Sequence, residues 1–388
     1  MKYKYQVIVL GDISSTADDI IKLFYEKLAE LGLQKNFYKI INSNNFDKEY
    51  LGNQPAFALY FGNDSGNQKD LMIVKRLLRD ATTILPIFQN SFDVEIPKIL
   101  SNQNGLKYNA TSNEKVVNLV LESFGKLRNT RKVFISYKRN ESTSVAVQLY
   151  EALERNNFDV FLDTHSIKQG EPFQDELWHR MTDCDVIVLL NTPNFLTSKW
   201  CKEEVAEASG KQIGILQLVW PGHELEDMAE LCFSIELKEG DFLDSNFGDK
   251  DTSKLTESII NSIVQQVESI RARNLAARQD NLITDFINSA KKSGKKVSLQ
   301  PQRFITEKLG KKKRRIFIPS VGIPQSMDCN QSSELKREIK EFSVKKIYLI
   351  YDDVRIREKW LKHLDYLNRY LDVKTIKRQQ FGIWLKKH

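Results

Sequence analysis

Apolar residues gather along this chain into short continuous runs, separated by stretches in which they recur at every third or fourth position. The run QVIVLGD (6–12) reads as a buried strand, and Ile20, Phe24, Leu28 and Leu31 then keep helical spacing until Gly32 stops the turn. AFALYFGN (56–63) is a second strand and QKDLMIVKRLLRDA (68–81) a helix. TILPIFQ (83–89) is a strand in which Pro86 predicts an edge or an end, and NEKVVNLVLESFGKL (113–127) is another helix. This alternation predicts a Rossmann-like α/β domain over 1–128.

A second alternating block follows over 129–272. KVFISY, FDVFLD, CDVIVLL and IGILQLVW are nearly continuous in apolar residues, as parallel strands covered on both faces are. Val145, Leu149 and Leu153 mark the first helix between them, and EPFQDELWHRM and WCKEEVAEA supply the next two. In a doubly wound sheet the ligand lies outside the carboxyl ends of the strands, which here is where SYKRNE (136–141) and LDTHSIKQGE (162–171) fall. A long helix with a narrow stripe of Leu255, Ile259, Ile263, Val267 and Ile270 closes the block. Residues 273–310, passing through KKSGKK and into GKKKRR with few apolar positions, read as a helical, basic connector. RIFIPS, KKIYLIYDD and a helix around Trp360, Leu364 and Leu367 then predict a small basic α/β domain over 311–388.

Composition narrows the class. With 41% hydrophobic and 28% charged residues over 388 positions, each part can bury a core. No apolar run reaches the roughly 18–20 residues of a membrane span, and MKYKYQVIVLGD is too short in its apolar part for a secretory signal, so a soluble cytoplasmic protein is expected. Cys184, Cys201, Cys232 and Cys329 form no CxxC pair, which points away from a disulfide framework or a zinc site. The first block has neither a GxGxxG nor the lysine of a phosphate-binding loop in GDISSTADD, and no chemistry is assigned to it. Charge is unevenly placed: residues 311–388 hold 20 Lys and Arg against 9 Asp and Glu, leaving 38 against 42 for the rest. That surplus marks either a segment that meets an acidic partner, nucleic acid or protein, or a solvated basic face.

In order and spacing, KVFISYKRNE, FDVFLDTHSIKQGEPFQDEL and CDVIVLLNTPNFLTSKWCKEEV resemble a TIR domain, most of all the NAD-cleaving kind found in bacterial immunity and in animal axon-degeneration NADases. The resemblance implies a flavodoxin-like fold with a parallel sheet over the middle block. It implies Glu204 as the catalytic residue, being the glutamate four positions after Trp200 in WCKEE; Glu203 does not match. A carboxylate there suits the chemistry, because nicotinamide leaves NAD+ through an oxocarbenium-like ribose whose charge a glutamate stabilises, and its ring nitrogen, already cationic, needs no acid to depart. On a helix, Trp200 and Glu204 share one face a turn apart, an indole wall beside a carboxylate. Taken on that helix alone, the pair has another explanation: acidic residues in a first turn are ordinary macrodipole partners, and a tryptophan there packs on a sheet. Three motifs in register favour the catalytic role.

The same resemblance places Ser136, Tyr137, Lys138, Arg139, Asp163 and Trp200 in the nucleotide pocket, with Lys138 or Arg139 meeting the pyrophosphate. Ile167, Gly170 and Pro172 fall in the loop that opens the site and joins neighbouring protomers, with the glycine supplying backbone freedom and the proline limiting it. His165 in that loop is assigned no catalytic role. Animal receptor TIR domains carry a Phe-Trp pair late in the domain that 225–270 does not reproduce, which argues against the receptor-adaptor branch. The resemblance thus implies an NAD+ hydrolase activated by TIR self-association in antiviral defence signalling, with NAD+ as substrate, no further cofactor and no metal. Two alternatives stay open: a cyclase that makes a cyclic ADP-ribose-type messenger, and a non-enzymatic scaffold.

Overall fold

In the computed structural model the apolar runs become strands of three five-stranded sheets, most of them in inner positions. It describes residues 5–388 apart from 51, 53, 64–67, 110, 127, 129, 163–172, 196–212, 224–232, 301, 302, 340 and 341, and only the backbone of 173–175, 337 and 338. The chain divides into two compact units, 1–129 and 130–388.

In the first unit β1 (Tyr5–Gly11), buried along its whole length, is flanked by β2 (Tyr38–Asn42) and β3 (Ala56–Phe61), followed outward by β4 (Thr83–Phe88) and the two-residue β5 (Leu106–Lys107), all parallel. The order 2-1-3-4-5 is the flavodoxin-type winding and replaces the expected Rossmann-like one; alternation of strands and helices is common to both, and only the pairing of β2 beside β1 distinguishes them. Helices α1 (Ser15–Glu30), α2 (Leu71–Arg79) and α3 (Asn113–Ser123) cover it. Pro86 lies where the spacing rule allows it, because β5 pairs only with Ile87 and Phe88, beyond the proline. Gly11 ends β1 at φ +85°, where a Cβ would sit 2.1 Å from the Phe61 carbonyl oxygen, so this position admits no side chain.

The second unit begins with β6 (Lys132–Ser136), β7 (Asp159–Leu162), β8 (Val186–Asn191), β9 (Gly214–Val219) and β10 (Phe233–Glu236), parallel throughout and in the same 2-1-3-4-5 order. Alternate residues feed opposite faces. Val133, Ile135, Val186, Val188, Leu216 and Leu218 pack with α4 (Arg139–Arg155), while Phe134, Ile187, Leu189 and Ile215 pack with Leu177 and Met181 of α5 (Phe173–Asp183).

Helix α6 (Glu257–Lys292) runs for 36 residues, about 54 Å at the usual rise. Its Ile260, Ile263, Val267 and Ile270 complete the core under the β6–β10 sheet, and its Leu282, Ile283, Phe286 and Ala290 enter a second core with Ile305, Phe317, Ile350 and Phe381. A Cβ on Gly214 would meet Ile270 Cγ2 at 2.5 Å, so glycine lets helix and strand approach. The stretch expected to be a connector is therefore the second half of this helix followed by β11 (Val297–Leu299) and β12 (Ile305–Lys308). β11 pairs antiparallel with β12 and β12 antiparallel with β13 (Lys313–Pro319); parallel pairing then continues from β13 to β14 (Ser343–Tyr351) and from β14 to β15 (Lys374–Lys377). Helices α7 (Ser326–Glu338), α8 (Glu358–Tyr370) and α9 (Phe381–Lys387) accompany this third sheet. Among the described residues no helix is long and apolar enough to cross a membrane.

Candidate functional site

Ser136 ends β6 at the carboxyl edge of its sheet, and Tyr137, Lys138 and Arg139 carry the chain from there into α4. Ser136 and Tyr137 are buried, the tyrosine as a member of the core that contains Val133 and Ile135; Arg139 is exposed. The Lys138 ammonium lies 3.1 Å from Glu141 Oε1 and donates to the Asn194 carbonyl at 3.1 Å, while the Asn194 N–H donates to Glu141 Oε2 at 3.3 Å. Burial works against the Glu141 charge, but donors on Thr192, Lys138 and Asn194 outweigh it and hold the carboxyl below its ordinary range. Lys138 is thus engaged within the fold, tying the first turn of α4 to the turn after β8. Ser142 leaves helical geometry at φ −145° and ψ 27°, which sets that first turn apart from the rest of α4.

Asn191, the last residue of β8, is fully buried; its amide donates to Gln217 Oε1 on β9 at 3.2 Å, and its Oδ1 has no partner among the described residues. Glu141, Asn191 and Gln217 were not singled out by the sequence reading. Their signal is modest: a polar residue closing the apolar run VIVLLN at the ligand-bearing edge.

The remaining site candidates, Asp163, Ile167, Gly170, Pro172, Trp200 and Glu204, lie outside the described residues. The chain enters 163–172 from the carboxyl end of β7 and 196–212 through Asn191–Phe195 beyond β8, so both segments depart from the edge that bears Ser136–Arg139. Two clefts of about 370 Å³ occur elsewhere, one lined by Asp285, Lys292 and Arg378 and one by Trp178, Arg355 and Arg357. Among the described residues no group of three or more His, Cys, Asp or Glu side chains could hold a metal ion.

Helix α5, which follows the 163–172 segment, is gripped by the loops at the carboxyl ends of β13 and β14. Arg357 forms an ion pair with Glu176, which Arg180 also contacts at 3.0 Å. The His179 ring stacks on Trp360 at 5.4 Å, and its Nδ1 accepts the Arg357 N–H at 3.4 Å. Asp183 accepts the Ile323 N–H at 2.8 Å, and Arg355 lies over the Trp178 ring at 5.4 Å. Burial pushes the His179 pKa down to about 4, the nearby carboxylates only partly opposing it, so the imidazole is neutral at pH 7. Glu176 is held below the ordinary carboxylate range because Arg357 and Arg180 outweigh its desolvation.

Residues 133–243, which run from the second residue of β6 past the end of β10, match the family model of the TIR domain. The chain carries a TIR domain over somewhat less than a third of its length. No curated protein matches the chain. Solved structures similar to it include the tagatose-6-phosphate ketose/aldose isomerase of Escherichia coli, at 13% identity and TM-score 0.21 with 73% of this chain and 83% of that chain covered. Another is a LacI family transcriptional regulator from Weissella paramesenteroides with bound glucose, at 10% identity and TM-score 0.18 with 69% and 91% covered. Geometric agreement at that level carries no argument about what this chain does.

Proposed function

We propose that this protein is an NAD+ hydrolase whose TIR domain cleaves the nicotinamide–ribose bond, is activated by self-association, and serves antiviral defence signalling in the cytoplasm. The observation that carries the reading is the TIR match over 133–243, within which Trp200 and Glu204 stand four residues apart between two strands whose carboxyl ends share an edge with Ser136–Arg139.

In the reaction the bond from ribose C1′ to the nicotinamide nitrogen breaks, with its electron pair leaving on the ring as neutral nicotinamide. Glu204 stabilises the ribosyl cation, water adds to C1′ and releases a proton, and ADP-ribose results. Trp200 offers a stacking wall, and Arg139, exposed at the edge, is the cation for the pyrophosphate; Lys138 supports it by holding the turn after β8.

The test is NAD+ consumption by the purified chain and by Glu204→Gln across a range of protein concentrations, with the products identified. Wild-type turnover that climbs with concentration, and a variant reduced at least 100-fold, are the expected results. A cyclic product would replace hydrolase by cyclase, and equal behaviour of the two proteins would return the lead to a scaffold.

A further inference from the structure

The basic surplus of the last segment divides into two populations. Towards the carboxyl ends of β14 and β15 the cations are occupied: Arg357 by Glu176, Arg378 by Asp352 and Asp285, and Lys377 by Asp365. At the opposite end of the sheet, the hairpin joining β12 to β13 and the start of β14 gather Lys308, Lys311, Lys312, Lys313, Arg314 and Lys345. Strand register makes this a contiguous surface, since Lys308 faces Arg314 directly, and Lys313 and Arg314 lie against Ser343 and Val344, next to Lys345. All of them except half-buried Arg314 are exposed. The acidic neighbour on β12, Glu307, is buried and already taken by Arg315 at 2.9 Å and Lys295 at 3.8 Å. Among the described residues no carboxylate lies within ion-pair distance of the five lysines.

Like charges set opposite one another on adjacent strands oppose sheet formation, and nothing in the packing of these exposed side chains requires them. From this we infer that the hairpin 308–314 together with Lys345 is a docking surface for the phosphate backbone of nucleic acid. A protein partner fits less well, because protein interfaces are depleted in lysine and built around aromatic anchors, whereas the aromatic here, Phe342, is covered by the Arg314 guanidinium at 4.4 Å. A ribbon of two strands with a cationic tip suits a charged duplex, whose attraction is electrostatic and independent of sequence. This surface is separate from the TIR site, and its occupancy is read without any turnover.

The experiment uses the full chain and a fluorescent 20-base-pair DNA duplex between 50 and 200 mM KCl. About four phosphate contacts predict an affinity loss on the order of 100-fold across that range. Lys311→Gln/Lys312→Gln/Lys313→Gln is expected to weaken binding at least tenfold at 50 mM and to reduce the salt slope by about three. Lys22→Gln/Lys48→Gln/Lys254→Gln, an equal charge change at scattered exposed positions, is expected to bind as the wild type does. The inference is overturned if the wild type fails to bind at 50 mM, if the two triple variants behave alike, or if phosphatidylserine vesicles or poly-glutamate are bound more tightly than the duplex.

Discussion

Asp185 and Arg271 are both fully buried, joined at 3.0 Å, and Arg131 and Glu268 form a second buried pair, Arg271 and Glu268 both belonging to α6. Neither pair was visible in the sequence, because their members lie far apart in the chain and α6 looks simply amphipathic in that stretch. Removing one member of a buried pair leaves the other charge without compensation, whereas replacing both by apolar side chains of similar volume removes the desolvation cost as well. Arg271→Met should therefore lower the unfolding free energy of the second unit by about 3–5 kcal/mol in urea titration, and Asp185→Leu/Arg271→Met should recover most of that loss. Lys138 raises a different question, because it or Arg139 was expected to meet pyrophosphate, and its ammonium lies with Glu141 and the Asn194 carbonyl. If it acts by holding the turn after β8, Lys138→Ala and Glu141→Ala will lower kcat/KM for NAD+ by similar factors. The double variant will then lose little more than either one, a non-additivity that a double-mutant cycle measures.

Among the elements, those with a strict apolar period were legible, and those specified by distant partners were not. β1, β6, β8 and β9 read directly as buried runs, as did the helical spacing of α1 and α4. β11 and β12 did not, because Thr306 and Glu307 are buried by cross-strand pairing and by Arg315 rather than by apolar content. The grip on α5 had no local signature at all, since Glu176 and Arg357 stand 181 positions apart. That grip makes the second unit pH-dependent. Folded His179 resists protonation until about 4 but takes a proton near 6.5 when unfolded, so between those values the unfolded chain binds more protons. Stability then falls as the pH drops through this window, with a slope of at most about 1.4 kcal/mol per pH unit, and Glu176, depressed when folded, adds loss of the same sign at still lower pH. Thermal melts between pH 7.5 and 5 should show the decline in the wild type and a flatter profile in His179→Gln.

Across the whole second unit, β13 and β14 connect the two places where the last segment meets something. Both strands start at the lysine-rich hairpin end, and both finish in loops that hold α5: Ile323 after β13, Arg355 to Trp360 after β14. The nine residues of β14 span about 30 Å. α5 in turn follows directly on 163–172, the loop that the resemblance puts at the mouth of the NAD+ site. A ligand at the hairpin can act on the TIR domain only if the two ends of these strands are energetically coupled, and such coupling is reciprocal: whatever factor duplex binding applies to the α5 contact, breaking that contact must apply to duplex affinity. Arg357 lies past the carboxyl end of β14, whereas the hairpin lysines gather at its start, so Arg357→Ala perturbs the α5 contact while leaving every residue of the cationic surface in place. In a coupled molecule the variant changes duplex affinity several-fold although every hairpin lysine is intact, and duplex binding alters hydrogen exchange of the 173–183 amides in the wild type but not in the variant. Unchanged affinity and unchanged exchange would mean that the hairpin recruits the protein to nucleic acid without instructing the TIR domain.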